Sequence, residues 1–116
     1  MIKFKFEPYR LGGTLTIIKV KGKLCLRIGD IGWRVGNKFD DEIYPIGYSI
    51  AKEYEGKGIM TFALSLFIKK CKAKHLEACV LPNNIASKRV LLKNGFVEKG
   101  LSPDGRFVVF ELKKGA

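Results

Sequence analysis

The sequence predicts a mixed α/β domain built on a single, mostly antiparallel sheet with two helices. Three features of the chain point to it. Through the N-terminal half, apolar side chains recur with a period of two. From Ile59 the period switches to that of a helix. Beyond that helix come a short strand, a short helix and a hairpin. At 116 residues the chain has the size of one domain.

Residues 2–7 alternate apolar and charged side chains, the pattern of a half-buried strand. Gly12-Gly13 breaks the chain ahead of a β-branched stretch, 14–20. Lys21-Gly22 reads as a turn. Residues 23–28 alternate again with Leu24, Leu26 and Ile28 on one face, so a hairpin is expected. A further strand spans 31–35 and ends at Gly36-Asn37; 38–42 is a polar, acidic loop, and 46–51 is the last strand of this half. Met60, Ala63, Leu64, Phe67 and Cys71 then share one helical face. Lys69, Lys70, Lys72 and Lys74 crowd the end of that helix, where cations suit its negative terminus. Residues 76–81 form a short apolar strand closed by Pro82. Asn83 and Asn84 offer N-cap side chains to a second helix through Ala86, Val90 and Leu91, and Asn94-Gly95 stops it. The tail is a hairpin, 96–101 and 106–112, turning at Ser102-Pro103-Asp104-Gly105.

Composition narrows the function classes. With 47% hydrophobic and 28% charged residues the chain can bury a core, which excludes a disordered segment. Apolar runs such as 62–64 and 108–110 fall far short of the ~20 residues a membrane span requires. The first residues alternate charge with apolar side chains, unlike a signal peptide. Cys25, Cys71 and Cys79 are odd in number and widely spaced, which suggests reduced thiols in the cytoplasm rather than a disulfide frame or a zinc site. The net charge of +11 favours an anionic partner: nucleic acid, a membrane surface or a polyanionic cofactor.

Residues 46–64, IGYSIAKEYEGKGIMTFAL, hold the chemistry. A strand ends, a glycine-bearing loop follows, and a helix begins at once. Gly56 and Gly58 let the backbone turn tightly and approach a ligand, and the free N–H groups of the helix start complete a phosphate cradle. A Walker loop requires GxxxxGK[ST], which does not follow Gly56-Lys57-Gly58; a dinucleotide fingerprint requires a third glycine where Thr61 stands. Taken alone, GKG is equally a plain strand-to-helix turn.

A second block, PNNIASKRVLLKNGF at 82–96, separates these readings. With the strand IGYSI and the loop YEGKGIMT ahead of it, the chain resembles the GNAT superfamily of acetyl-CoA-dependent N-acetyltransferases. Within it, the branch of the ribosomal-protein N-terminal acetyltransferases is the most similar. The resemblance implies two central parallel strands, 46–51 and 76–81, that splay apart at their C-terminal ends. It implies a pantetheine arm bonded to backbone near Ser49 and Ile50. The pyrophosphate of the cofactor then sits on N–H groups running from Gly56 through Lys57, Gly58, Ile59 and Met60 to Thr61. Asn84 and Ser87 face the thioester, with Ser87 the candidate acid. Glu42, close before the cofactor strand, becomes the candidate base; by composition alone it is a solvated residue of the loop. The expected reaction moves acetyl from acetyl-CoA to a primary amine, on a protein N-terminus or a small molecule.

The chain departs from the family pattern at three positions. Glu55 stands where a Gln or Arg is usual, Met60 replaces a small residue, and Leu91 occupies the place where many relatives carry a tyrosine acid. Only 45 residues precede the cofactor strand, and they read as strands and turns. The expectation is one domain, 1–116, without most of the family's N-terminal helices, its acceptor wall formed by an N-terminal hairpin or by a second copy in a homodimer. Two alternatives stand beside the transferase: a CoA-binding domain without catalysis, and a basic RNA- or ribosome-binding module. The net charge favours the latter, although its lysines spread over several elements and no RNP-type aromatic signature, helix-turn-helix or zinc spacing accompanies them. Of the remaining side chains, Tyr48 is expected to pack in the core rather than face the cleft. His75 is expected to be exposed or to cap a helix, Cys79 to be a buried thiol, and Trp33 to pack or line the acceptor side. Lys88, Arg89 and Lys93 either reach the 3′-phosphate of CoA or form a solvated face.

Overall fold

Residues 1–9, 12–34 and 43–114 are described by a computed structural model. The strands are β1 (Ile2–Tyr9), β2 (Gly12–Lys21), β3 (Leu24–Arg34), β4 (Ile43–Ile50), β5 (His75–Val80), β6 (Val97–Leu101) and β7 (Val108–Lys113); the helices are α1 (Ile59–Lys70) and α2 (Ile85–Lys93). The strands form one sheet in the order β1-β2-β3-β4-β5-β7-β6. Every neighbouring pair is antiparallel except β4 and β5, which α1 connects as a crossover. The loop 38–42, with Glu42, lies outside the described residues.

Register places the buried strand residues on one face. Leu15 pairs with Ile31, Trp33 with Ile46, Ile46 with Ala78 and Ala78 with Phe110, and all of these are buried. The helices cover that face. Phe67 of α1 is fully buried, its ring 5.0 Å from that of Trp33, which in turn stacks on Phe6 at 5.2 Å. Leu91 of α2 is likewise fully buried. The Asn94 Nδ2 group donates to Thr61 O at 3.2 Å and to Val90 O at 2.9 Å, tying α2 to the start of α1. Trp33 therefore packs, and Gly13 lets it do so: a Cβ there would stand 2.1 Å from the indole Cη2. No helix among the described residues is long and apolar enough to cross a membrane.

The structure corrects four expectations. The two strands predicted over 23–28 and 31–35 are one, β3, because its backbone pairs with β2 throughout and with β4 over Gly29–Trp33. A register shift between Ile17 and Ile18 absorbs Ile28, which turns into the core. Leu24 and Leu26 are 63% and 51% exposed rather than half-buried. The physical reason is length: the 12 residues of α1 span about 18 Å, while the 10 of β2 run about 33 Å, so the far end of the β2–β3 hairpin projects past the helix. Cys79 is exposed, since it alternates with buried Ala78 and Val80 on β5. His75 caps no helix; it starts β5, with Nε2 2.8 Å from the Glu111 carboxylate, to which Lys99 Nζ also reaches at 3.2 Å. Partial desolvation pushes the Glu111 carboxyl up, but the bonds from Lys99 and His75 and the nearby lysine charges outweigh it and hold it below the usual range.

Candidate active site

The site originates in a failure of pairing. β4 and β5 are bonded only from Ile43/His75 to Ile46/Ala78. Past that point β4 stays paired with β3, Ser49 opposite Asp30 and Ile50 opposite Gly29, while β5 follows β7, Cys79 opposite Val109 and Val80 opposite Val108. The two parallel strands part, as expected, and leave a cleft of about 440 Å³. Tyr48, Ser49 and Ile50 line it from β4, Gly56, Gly58, Met60 and Thr61 from the loop and α1, and Asn84 and Ser87 from α2.

One end of the cleft is the start of α1. Gly56 and Gly58 have φ of 73° and 80°, left-handed values that exclude most side chains, and a Cβ at either would meet open space. Gly58 is the N-cap, and the first helical bond runs from Phe62 N–H to Gly58 O at 3.0 Å. The N–H groups of Ile59, Met60 and Thr61 thus lack helical acceptors and lie at the positive end of the helix dipole. Met60 is only 6% exposed, so its side chain enters the core, which explains why a large residue fits here. Lys57 and Ile59 bring no side chain to the cleft: Lys57 Nζ lies 5.7 Å from the Tyr54 ring centroid, and Ile59 packs against the core. Arg89 and Lys93 do line it and Lys88 does not, while Glu55 lines it without an ion pair among the described residues.

The other end carries hydroxyls. Asn84 caps α2 by accepting the Ser87 N–H at 3.1 Å. Tyr48 Oη stands 2.7 Å from Ser87 Oγ and donates within reach of Ser87 O at 3.1 Å. Burial pushes the Tyr48 phenol up, against the opposing bond from Ser87, so it stays protonated through neutral pH. Tyr48 is half-buried: it packs against the core, as expected, and it also lines the cleft, which was not expected. It shares the face of Ile46, but it lies two residues beyond the last β4–β5 pair, so the space beside it is open. No pattern in the chain marks where that pairing stops. Glu42, the candidate base, lies outside the described residues. A second hollow of about 610 Å³ is lined, among the described residues, by Tyr9, Thr14, Trp33, Arg34, Pro45, Ile46 and glycine backbone.

The model of the acetyltransferase (GNAT) domain matches residues 4–97. This chain belongs to the GNAT acetyltransferase family. The seven-stranded mixed sheet and two helices of its described residues have the GNAT fold. It is 43% identical over 61 residues to "Probable N-acetyltransferase YjcK" of Bacillus subtilis (strain 168), an overlap covering 49% of this chain and 34% of that protein. The structure of a ribosomal-protein-S5-alanine acetyltransferase from Vibrio fischeri is similar, with a TM-score of 0.72 and 25% identity over 90% of this chain and 62% of that one. So is Mycobacterium smegmatis RimJ in complex with CoA-disulfide, with a TM-score of 0.68 and 26% identity over 86% of this chain and 53% of that one. The GNAT chain thus spans about a third of the curated relative and less than two thirds of either solved chain.

Proposed function

We propose that this GNAT domain binds acetyl-CoA in the β4–β5 cleft and transfers its acetyl group to a primary amine. The observation that carries the proposal is the parting of two parallel strands directly above a helix start with left-handed glycines. The free edge of β4 at Ser49 and Ile50 suits an extended pantetheine arm, bonded as an added strand would be. The N–H groups from Gly56 to Thr61 suit the pyrophosphate, with Arg89 and Lys93 supplying positive charge. Asn84 and Ser87 face the thioester, whose carbonyl is polarised by backbone N–H groups. In the reaction the amine nitrogen bonds to the acetyl carbon and the carbon–sulfur bond breaks. Glu42 takes the first proton from the ammonium so that the amine can attack. The second proton, shed by the nitrogen once it is bonded to the acetyl carbon, replaces the one Ser87 supplies to the departing thiolate. A protein N-terminus as acceptor is supported by the Vibrio fischeri neighbour, a ribosomal-protein alanine acetyltransferase.

Leu91 favours one alternative: no hydroxyl projects from that turn of α2, as in a domain that binds CoA without using it. Thermal-shift titrations with acetyl-CoA, CoA and a short RNA distinguish the readings, because a ligand that binds only the folded chain raises Tm. Acetyl-CoA is expected to raise it, and thiol release with a panel of amines then separates transfer from binding. Stabilisation by RNA alone would reject the proposal.

A further inference from the structure

We infer that Tyr48 is a positioning residue that makes Ser87 a proton donor into the cleft. The inference rests on the acetyl-CoA reading and follows from counting hydroxyl protons. Tyr48 has one proton and two acceptors in reach, Ser87 Oγ at 2.7 Å and Ser87 O at 3.1 Å. Ser87 also has one proton. At 2.7 Å a single proton lies between the two hydroxyl oxygens, so two arrangements exist. In the first, Ser87 donates to Tyr48, Tyr48 donates to the Ser87 carbonyl, and no donor remains for a ligand. In the second, Tyr48 donates to Ser87 Oγ, and the Ser87 proton is free to point at an acceptor in the cleft.

The two arrangements differ by rotation of two hydroxyls, with no backbone movement. A sulfur atom arriving beside Ser87 selects the second. The oxygens themselves are held from both sides of the gap. The Asn84 cap fixes Ser87 at the first turn of α2, and Tyr48 reaches across from the stretch of β4 that no longer pairs with β5. Leu91 is fully buried, so α2 offers no hydroxyl at that turn. Without the phenol, Ser87 Oγ would lose its only partner among the described hydrogen bonds, and its rotor would be unconstrained.

The test compares CoA with desulfo-CoA, which lacks only the sulfur, by calorimetric titration of the full chain and of Tyr48→Phe and Ser87→Ala. The wild-type chain is expected to bind CoA about 5-fold more tightly, the size of one net hydrogen bond. Ser87→Ala is expected to bring that ratio to about 1 and Tyr48→Phe to reduce it clearly, with desulfo-CoA affinity kept within about 2-fold and the double variant adding nothing beyond Ser87→Ala. The unchanged desulfo-CoA affinity shows that the cleft is still folded. A Tyr48→Phe chain that keeps the sulfur preference, or a wild-type chain that never had it, would overturn the inference. A wild-type chain that binds neither compound would instead overturn the acetyl-CoA reading beneath it.

Discussion

Replacing Gly58 with alanine tests the backbone conformation on which the proposed phosphate cradle rests. Gly58 has φ 80° and ψ 0°, and a Cβ added there meets nothing within 4 Å. The substitution therefore introduces no clash, and its cost is the left-handed strain of an L-residue, about 1–2 kcal/mol. A domain of this size gains roughly 0.24 kcal/mol per degree in unfolding entropy, so Tm is expected to fall by about 4–8 °C. Urea denaturation should show the same loss as a lower midpoint with an unchanged slope. Gly13→Ala is the matched contrast. There the added Cβ would stand 2.1 Å from the Trp33 ring and 2.6 Å from the Glu7 carbonyl, so the indole must move and the loss should be clearly larger. If Gly58→Ala melts within about 1 °C of the wild-type chain, α1 does not begin on a left-handed residue, and the cradle built on it fails with it.

Other perturbations address separate parts of the molecule. Leu26→Lys should leave urea stability within about 0.5 kcal/mol, whereas Leu15→Ala should cost about 2–5 kcal/mol, because only Leu15 is buried; equal losses would contradict the register. The Asp104 carboxylate accepts from Ser102 Oγ at 2.6 Å and from Arg106 N at 3.1 Å, and these bonds hold its pKa below the usual range. Its contribution to the β6–β7 turn is therefore full above the unfolded value of about 3.9 and is lost as pH falls through the lower folded one. An NMR titration should find Asp104 ionising below that reference, and a midpoint at or above it would refute the bonds. Arg89→Ala and Lys93→Ala should each weaken acetyl-CoA binding, with the difference shrinking as salt is raised. Unchanged calorimetric affinity in both would remove these side chains from the proposed phosphate contacts.

Much of this architecture was legible along the chain because it depends on local periodicity and turn chemistry. The period change at Ile59 located α1, Asn84 and Gly95 bounded α2, and Ser102-Pro103-Asp104-Gly105 located the last turn. The glycine loop at one end of the cleft was legible from its own residues, but the parted strands and the facing residues Asn84 and Ser87 were legible only through the resemblance, since no local pattern marks where β4 leaves β5. The misreadings share a cause. The neighbours of Leu24, Leu26, Cys79 and His75 in sequence do not reveal their surroundings, because burial depends on what another element covers.

By itself the sequence determined the elements and the glycine positions, because φ preference, capping and period are properties of a few adjacent residues. Tertiary structure alone decided that α1 stops short of the β2–β3 hairpin and that β4 and β5 part after Ile46 and Ala78. It alone brought Tyr48 within 2.7 Å of Ser87, 39 residues away. Such contacts are set by how far rigid elements reach and where their hydrogen bonds go, and no window of neighbouring residues encodes that.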